Sequence, residues 1–219
     1  ICLKARDTPL LRAAIAELAI ARIPVFTLVT DLPGSARHGY FGLDNAEAGR
    51  TAAHLLAQSL PDDRATILTS RSQDAFRGET DRFTAFRDLI TALKPAVQII
   101  DASGGAGMTA STSAQLDKIL TSQVRIDGVY SMGGGNAAIL RTMAAHGQRP
   151  RVFVAHDLDR ENTQLLRHGA IGFVLHHDLG RDMATLFAAA VSGNKTANQT
   201  ASASSDVQII TPYNLPRFA

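Results

Sequence analysis

The sequence predicts an α/β protein built on parallel sheets, and two observations carry that prediction. Short β-branched runs repeatedly end in a polar or glycine-rich corner and pass into an amphipathic helix. Such alternation builds βαβ units, whose strands lie parallel. The corners themselves are Thr30-Asp31, Thr69-Ser70, Asp101, Ser131 to Asn136, His156-Asp157 and His176-His177-Asp178, a set of hydroxyls, carboxylates, amides and imidazoles. Parallel sheets bind small molecules beyond the carboxyl ends of their strands, so a polar ligand is implied.

Residues 1–5 read as a strand, and 8–22 as a helix with Leu11, Ile15, Leu18 and Ala19 on one stripe. Pro24 stops that helix, and residues 25–29 form the next buried strand. A loop with Pro33-Gly34 leads to a brief strand over 40–43. Asp44, three residues before Glu47, opens a helix to about Ser59 in the manner of a capping box. Strands follow at 65–69, 97–101, 128–131, 151–155 and 172–175. They alternate with helices at 76–93, 109–122, 136–146, 159–167 and 179–191. Residues 194–205, rich in Ser, Thr, Asn and Ala with nothing to bury, read as a mobile loop before a last strand at 207–210.

Bulk properties exclude several classes. At 219 residues and 45% apolar content the chain can bury a substantial core. Its 22 basic and 20 acidic residues are scattered, so no basic tract suggests that this segment grips nucleic acid itself. A lone Cys2 rules out an intramolecular disulfide or a thiolate metal cluster. No apolar run approaches the ~20 residues that span a bilayer. Because the chain starts at Ile1 inside a strand-like run, its natural N-terminus is expected upstream.

Four motifs could carry function. Gly105-Ala106-Gly107-Met108-Thr109-Ala110 has the form of a dinucleotide fingerprint, but the next strand ends at Ser131-Met132 without the expected carboxylate. An ordinary βα loop is the competing explanation. Gly133-Gly134-Gly135-Asn136, between a strand and a helix, would let backbone N–H groups approach an oxygen-rich ligand, or would be a tight turn with Asn136 as N-cap. Arg77 and Arg82 flank the start of the helix bearing Phe83 and Phe86; a guanidinium fork holds neighbouring hydroxyls or a carboxylate, while pairing with Glu79 or Asp81 is the plainer alternative. Asp157 and His177 suit hydrogen bonding to a polyol, with helix capping as the structural alternative. Neighbouring His176 and His177 point to opposite faces of a strand and cannot readily share one ion, so no metal is expected. No nucleophile elbow or P-loop is present, so a catalytic site and a cofactor are not expected. The sequons at Asn194 and Asn198 carry little meaning without a sign of eukaryotic secretion.

In the order and spacing of "IPVFTLVTDLPGSARHGYFGLDNAEAGRTAAHLL", "FRGETDRFTAFRDLI", "DGVYSMGGGNAAILRTM", "VFVAHDLD", "GFVLHHDLGRDMATLF" and "ITPYNLP", the chain resembles the ligand-binding domain of lactose-repressor-type regulators, which have the type 1 periplasmic sugar-binding protein fold. The resemblance implies two similar parallel-sheet lobes joined by three crossings. Lobe 1 would comprise 1–43 with 178–205 and be incomplete at its N-terminus; lobe 2 would comprise 44–177 with 206–219. It implies a sugar or sugar derivative held in the cleft between the lobes, with an arginine at the place of Arg82 and an aspartate at the place of Asp157 on its hydroxyls. A glutamine often stands where His177 does, and the family's asparagine near Gly133 is replaced by the glycine run, with Asn136 a turn later. Thr30 and Asp31 would line the opposite lobe. It further implies a cytoplasmic homodimer, with the helix over 8–22 as a candidate seam, that meets DNA through an upstream head and no membrane. A periplasmic transport receptor and a nucleotide-using α/β enzyme are the two rival expectations.

Overall fold

The computed structural model describes residues 1–61, 64–72, 77–104, 108–192 and 202–216. Residues 105–107 of the glycine motif and both sequons lie outside these. The chain divides into two compact units: one holds the described residues of 1–44, 77–78 and 177–206, and the other those of 45–74, 79–176 and 207–219.

In the first unit, β1 (Cys2–Leu3), β2 (Phe26–Leu28), β3 (Gly39–Leu43) and β9 (Ala203–Ser205) form one parallel sheet in that order. Alternation along β2 sorts its side chains to two faces. Val25 joins Ile15 and Leu32 beneath α1 (Pro9–Ile20), whereas Phe26 and Leu28 join Phe41 and Leu186 of α7 (Leu179–Val191). Helix α1 starts where it should: Thr8 Oγ1 accepts the Leu11 N–H at 3.2 Å, and Pro9 takes the first position, whose N–H would be unpaired anyway. Strand β9 corrects the sequence reading of 194–205 as a loop throughout. Ala203, Ser204 and Ser205 pair in register with Phe41, Gly42 and Leu43. An edge strand needs only backbone partners, so its Ala-Ser-Ser composition leaves no hydrophobic signature.

The second unit holds the larger sheet, in the order β10 (Gln208–Ile210), β8 (Phe173–His176), β7 (Val152–His156), β6 (Gly128–Ser131), β4 (Thr66–Ser70), β5 (Gln98–Asp101). All neighbours are parallel except β10, which runs antiparallel to β8. From β4 the chain goes outward to β5, then returns to the other side as β6, so the topological switch point lies between β4 and β6. Helices α2 (Asn45–Ser59), α3 (Arg77–Leu93), α4 (Thr109–Leu120), α5 (Asn136–Ala145) and α6 (Arg160–Arg167) complete the unit. A continuous core runs through Leu68, Leu116, Val129, Ile139, Met143, Phe153, Leu166 and Val174. The residue capping α5 is Gly135 at φ 88°, not Asn136. Only glycine takes that left-handed conformation without strain, and it pushes Asn136 into the first helical turn.

Candidate functional site

The polar residues that matter most gather at the carboxyl edge of the larger sheet, at its switch point. Helix α3 buries the stripe Gly78, Arg82, Phe86, Ile90, at i, i+4 spacing. An arginine therefore occupies a core position, only 6% exposed. Its Nε donates to Asn45 Oδ1 at 2.7 Å and its Nη1 to the Met132 carbonyl at 3.3 Å. Asn45 opens α2 and Met132 follows β6, so two elements fix the guanidinium. Helix α2 comes so close that a Cβ on Gly49 would lie 2.2 Å from the Arg82 carbonyl oxygen. No carboxylate among the described residues pairs with Arg82, whose two partners are both neutral.

The turns that flank the switch point touch. A Cβ on Gly133 would lie 2.7 Å from the Ser72 backbone nitrogen. Ser72 is itself held by Glu79, which accepts its N–H at 2.6 Å and its hydroxyl at 2.5 Å. Glu79 is thereby committed to Ser72 rather than only to a neighbouring arginine. Beside it, Arg71 pairs with Asp101 at 2.7 Å, bonds Ser103 and stacks 4.7 Å from the Phe83 ring centre.

One asparagine pair organises the β6 and β7 ends. Asn162 Nδ2 donates to the carbonyls of His156 at 2.9 Å and Asp157 at 2.7 Å, which leaves its Oδ1 to accept from Asn136 Nδ2 at 2.8 Å. This sets the Asn136 amide orientation by donor and acceptor count. Asn136 Oδ1 is then a buried acceptor with no partner among the described residues. Asp157, at φ 64°, is exposed beyond the end of β7, while its N–H stays on the Leu175 carbonyl at 2.9 Å. A non-glycine residue in that region is uncommon, aspartate being among those that tolerate it best. Behind the edge, the buried Tyr130 hydroxyl meets His156 Nε2 at 2.8 Å. Burial pushes the Tyr130 phenol well above its ordinary range, the Arg82 charge pulling it the other way, so it stays protonated.

The remaining predicted residues lie in the first unit. Thr30 Oγ1 accepts the Ala5 N–H at 3.2 Å and donates to the Ala5 carbonyl at 3.1 Å. Asp31 accepts from Thr27 Oγ1, the Leu32 N–H and Arg37 at 3.0, 2.7 and 2.8 Å. His177, only 5% exposed, joins its Nδ1 to Asp182 Oδ2 at 2.6 Å, and Asp182 Oδ1 accepts the Ser205 hydroxyl at 2.7 Å. Arg77 is exposed and groups with this unit. The structure thus brings Arg82, Gly133, Asn136 and Asp157 to one sheet edge and places Thr30, Asp31, Arg77 and His177 in the other unit. Sequence reasoning missed Asn45, Gly49 and Asn162. Their common signal is a polar or small residue on the buried stripe of a helix at its first turns.

Among the described residues no group of three or more His, Cys, Asp or Glu could hold a metal ion, and no helix is long and apolar enough to cross a membrane. The two sheets, largely parallel and with polar residues at their carboxyl ends, define an α/β protein. A family model described as "Periplasmic binding protein domain" matches residues 1–195, and the chain belongs to that family. Among solved structures it is similar to GanP, a glucose-galactose binding protein from Geobacillus stearothermophilus, with 19% identity, a TM-score of 0.85 and 99% and 77% of the two chains covered. It is also similar to a periplasmic solute binding protein from Actinobacillus succinogenes 130z with bound D-allose, at 16% identity, TM-score 0.83 and coverage of 97% and 78%. A third such structure is a LacI transcriptional regulator from Bacteroides fragilis, so described provisionally, at 15% identity, TM-score 0.80 and coverage of 97% and 75%. At these identities the likeness is one of fold. No curated protein matches the chain by sequence.

Proposed function

We propose that the chain is the effector-sensing domain of a sugar-responsive bacterial transcription regulator, holding a small polyhydroxylated ligand by Arg82, Asp157 and Asn136. The observation that carries the binding role is Arg82, a buried guanidinium fixed by neutral partners at the switch point of a parallel sheet. Family membership in a periplasmic binding protein domain supports it. In this reading Asp157 accepts hydrogen bonds from ligand hydroxyls, Asn136 Oδ1 accepts another, and Gly133 lets backbone come close. Thr30, Asp31, Arg77 and His177, in the first unit, are further ligand contacts in this reading, and the ligand shifts the population toward the state that binds it better. No chemistry is performed on the ligand. The DNA-binding head lies upstream, and the protein works as a cytoplasmic homodimer.

A thermal-shift screen of pentoses, hexoses, polyols and sugar acids tests the binding role, because a ligand that binds only the folded state raises the melting temperature. Failure of every member to do so removes the proposal. A transport receptor would use the same residues, and the binding-protein descriptions of two of the similar structures favour that second reading. Reading the genomic sequence upstream of Ile1 separates the two: a helix-turn-helix head supports the regulator, a secretory signal the receptor.

A further inference from the structure

We infer that the ligand of this site is a hydroxylated carboxylate, a sugar acid of the aldonate or uronate class, rather than a neutral sugar. The inference rests on the binding role proposed above and deepens it. A guanidinium keeps its charge in proteins, so burial of one is not relieved by losing a proton. Burying a charge is costly unless it is both hydrogen-bonded and paired. Arg82 meets only the first condition. Its described partners are an amide oxygen and a backbone carbonyl, and it has no ion pair within the described residues.

Asp157 does not fill that role within the protein. It is exposed on its strand end and makes no ion pair with any described residue, so its carboxylate can accept hydrogen bonds from ligand hydroxyls. A planar carboxylate matches the guanidinium fork with two parallel hydrogen bonds and supplies the missing charge. A neutral sugar offers the fork hydroxyl oxygens alone.

Asn136 supplies the other half of the argument. Its Oδ1 is a buried acceptor without a partner among the described residues, and its amide cannot be turned over, since Asn162 Oδ1 already needs the Nδ2 donor. Leaving such an acceptor unmet is costly, and a ligand hydroxyl would recover that loss. Arg82 binds the Met132 carbonyl of the same turn that Asn136 closes, so charge and acceptor lie along one stretch of backbone. A ligand that satisfies both carries an anionic group and at least one hydroxyl.

The test is isothermal titration of the wild-type chain with gluconate, glucuronate and galacturonate against glucose and galactose, and with glucuronate against glucuronamide, its neutral counterpart of the same shape. The expected result is that an acid binds at least about tenfold tighter than its neutral match, or 1.4 kcal/mol. In Arg82→Met that preference should collapse. The glucuronate and glucuronamide pair keeps the test independent of whether the variant folds. Equal or tighter binding of a neutral sugar overturns this inference and leaves the binding role standing; absence of binding by every acid and every neutral sugar overturns both.

Discussion

At the residue scale the decisive fact is that polar side chains occupy positions that helix periodicity reserves for the core. Arg82 shares its stripe with Phe86 and Ile90, and Asn136 with Ile139 and Met143. A purely structural arginine would be anchored to a carboxylate, and removing it would strand that partner. Arg82→Ala should instead leave the apo melting temperature within a few degrees and abolish ligand-induced stabilisation; an unchanged ligand response by thermal shift would take Arg82 out of the site. His177 behaves differently. Its buried bond to Asp182, itself bonded to Ser205, ties the start of α7 to β9. Asp182→Asn replaces one acceptor of that chain with a donor, so chemical denaturation should show a loss of about 1–3 kcal/mol. A surface pair gives a pH signature of opposite interest. The hydrogen bonds from Arg12 hold Asp7 below its ordinary carboxyl value; desolvation opposes them, and the Arg12 and Arg77 charges add to the lowering. With the folded pKa depressed, the pair's contribution is present above the unfolded carboxyl value and fades as pH falls through the folded one. Arg12→Ala should therefore raise the Asp7 titration midpoint toward 3.8 in a carbon-detected NMR titration.

At the element scale, glycines set how closely the pieces of the site meet. A methyl on Gly49 would collide with the Arg82 main chain, where no flexible side chain can yield, so α2 and α3 would have to part. Gly49→Ala should cost about 1–3 kcal/mol in urea unfolding, the usual range for overpacking, and weaken ligand binding as Arg82 moves off Asn45. Gly128 offers the contrast: the atoms facing it are the ends of Leu56 and Leu60, which can shift. Most of the element order was legible beforehand because the strands of the larger sheet are apolar runs and most helices have a clear stripe. Helix ends came out within a residue or two, as at Thr8 and Asp159, whose side chains cap α1 and α6. Two features escaped for a physical reason. Strand β9 is bound through its backbone, which leaves no trace in composition, and the α5 cap depends on which of three glycines takes a positive φ.

At the scale of the whole molecule, the sequence showed which residues end the strands but not which of them keep an unmet hydrogen-bonding demand. Thr30 and Asp31 looked as suitable as Arg82 and Asn136, yet Thr30 and Asp31 are bonded within their own unit to Ala5, Thr27, Leu32 and Arg37. Periodicity and motif reading stop at that distinction, because it turns on which partners the fold delivers. Arg82, with no counterion among the described residues, Asn136, with an oxygen unmet among them, and the exposed Asp157 all belong to the unit of the larger sheet. Ligand free energy should therefore enter the molecule mainly there. At 100 times its dissociation constant a ligand adds about 2.7 kcal/mol to the stability of what it binds. Hydrogen exchange followed by mass spectrometry should show this as slower exchange in 131–137, at the end of β7 and at the starts of α2 and α3, whose side chains or backbone form the site. Helix α1, whose only fully buried residue is Ile15, should show a smaller change. Protection concentrated in α1, with 131–137 unaffected, would move the binding site to the other sheet and with it the roles given to Arg82 and Asn136.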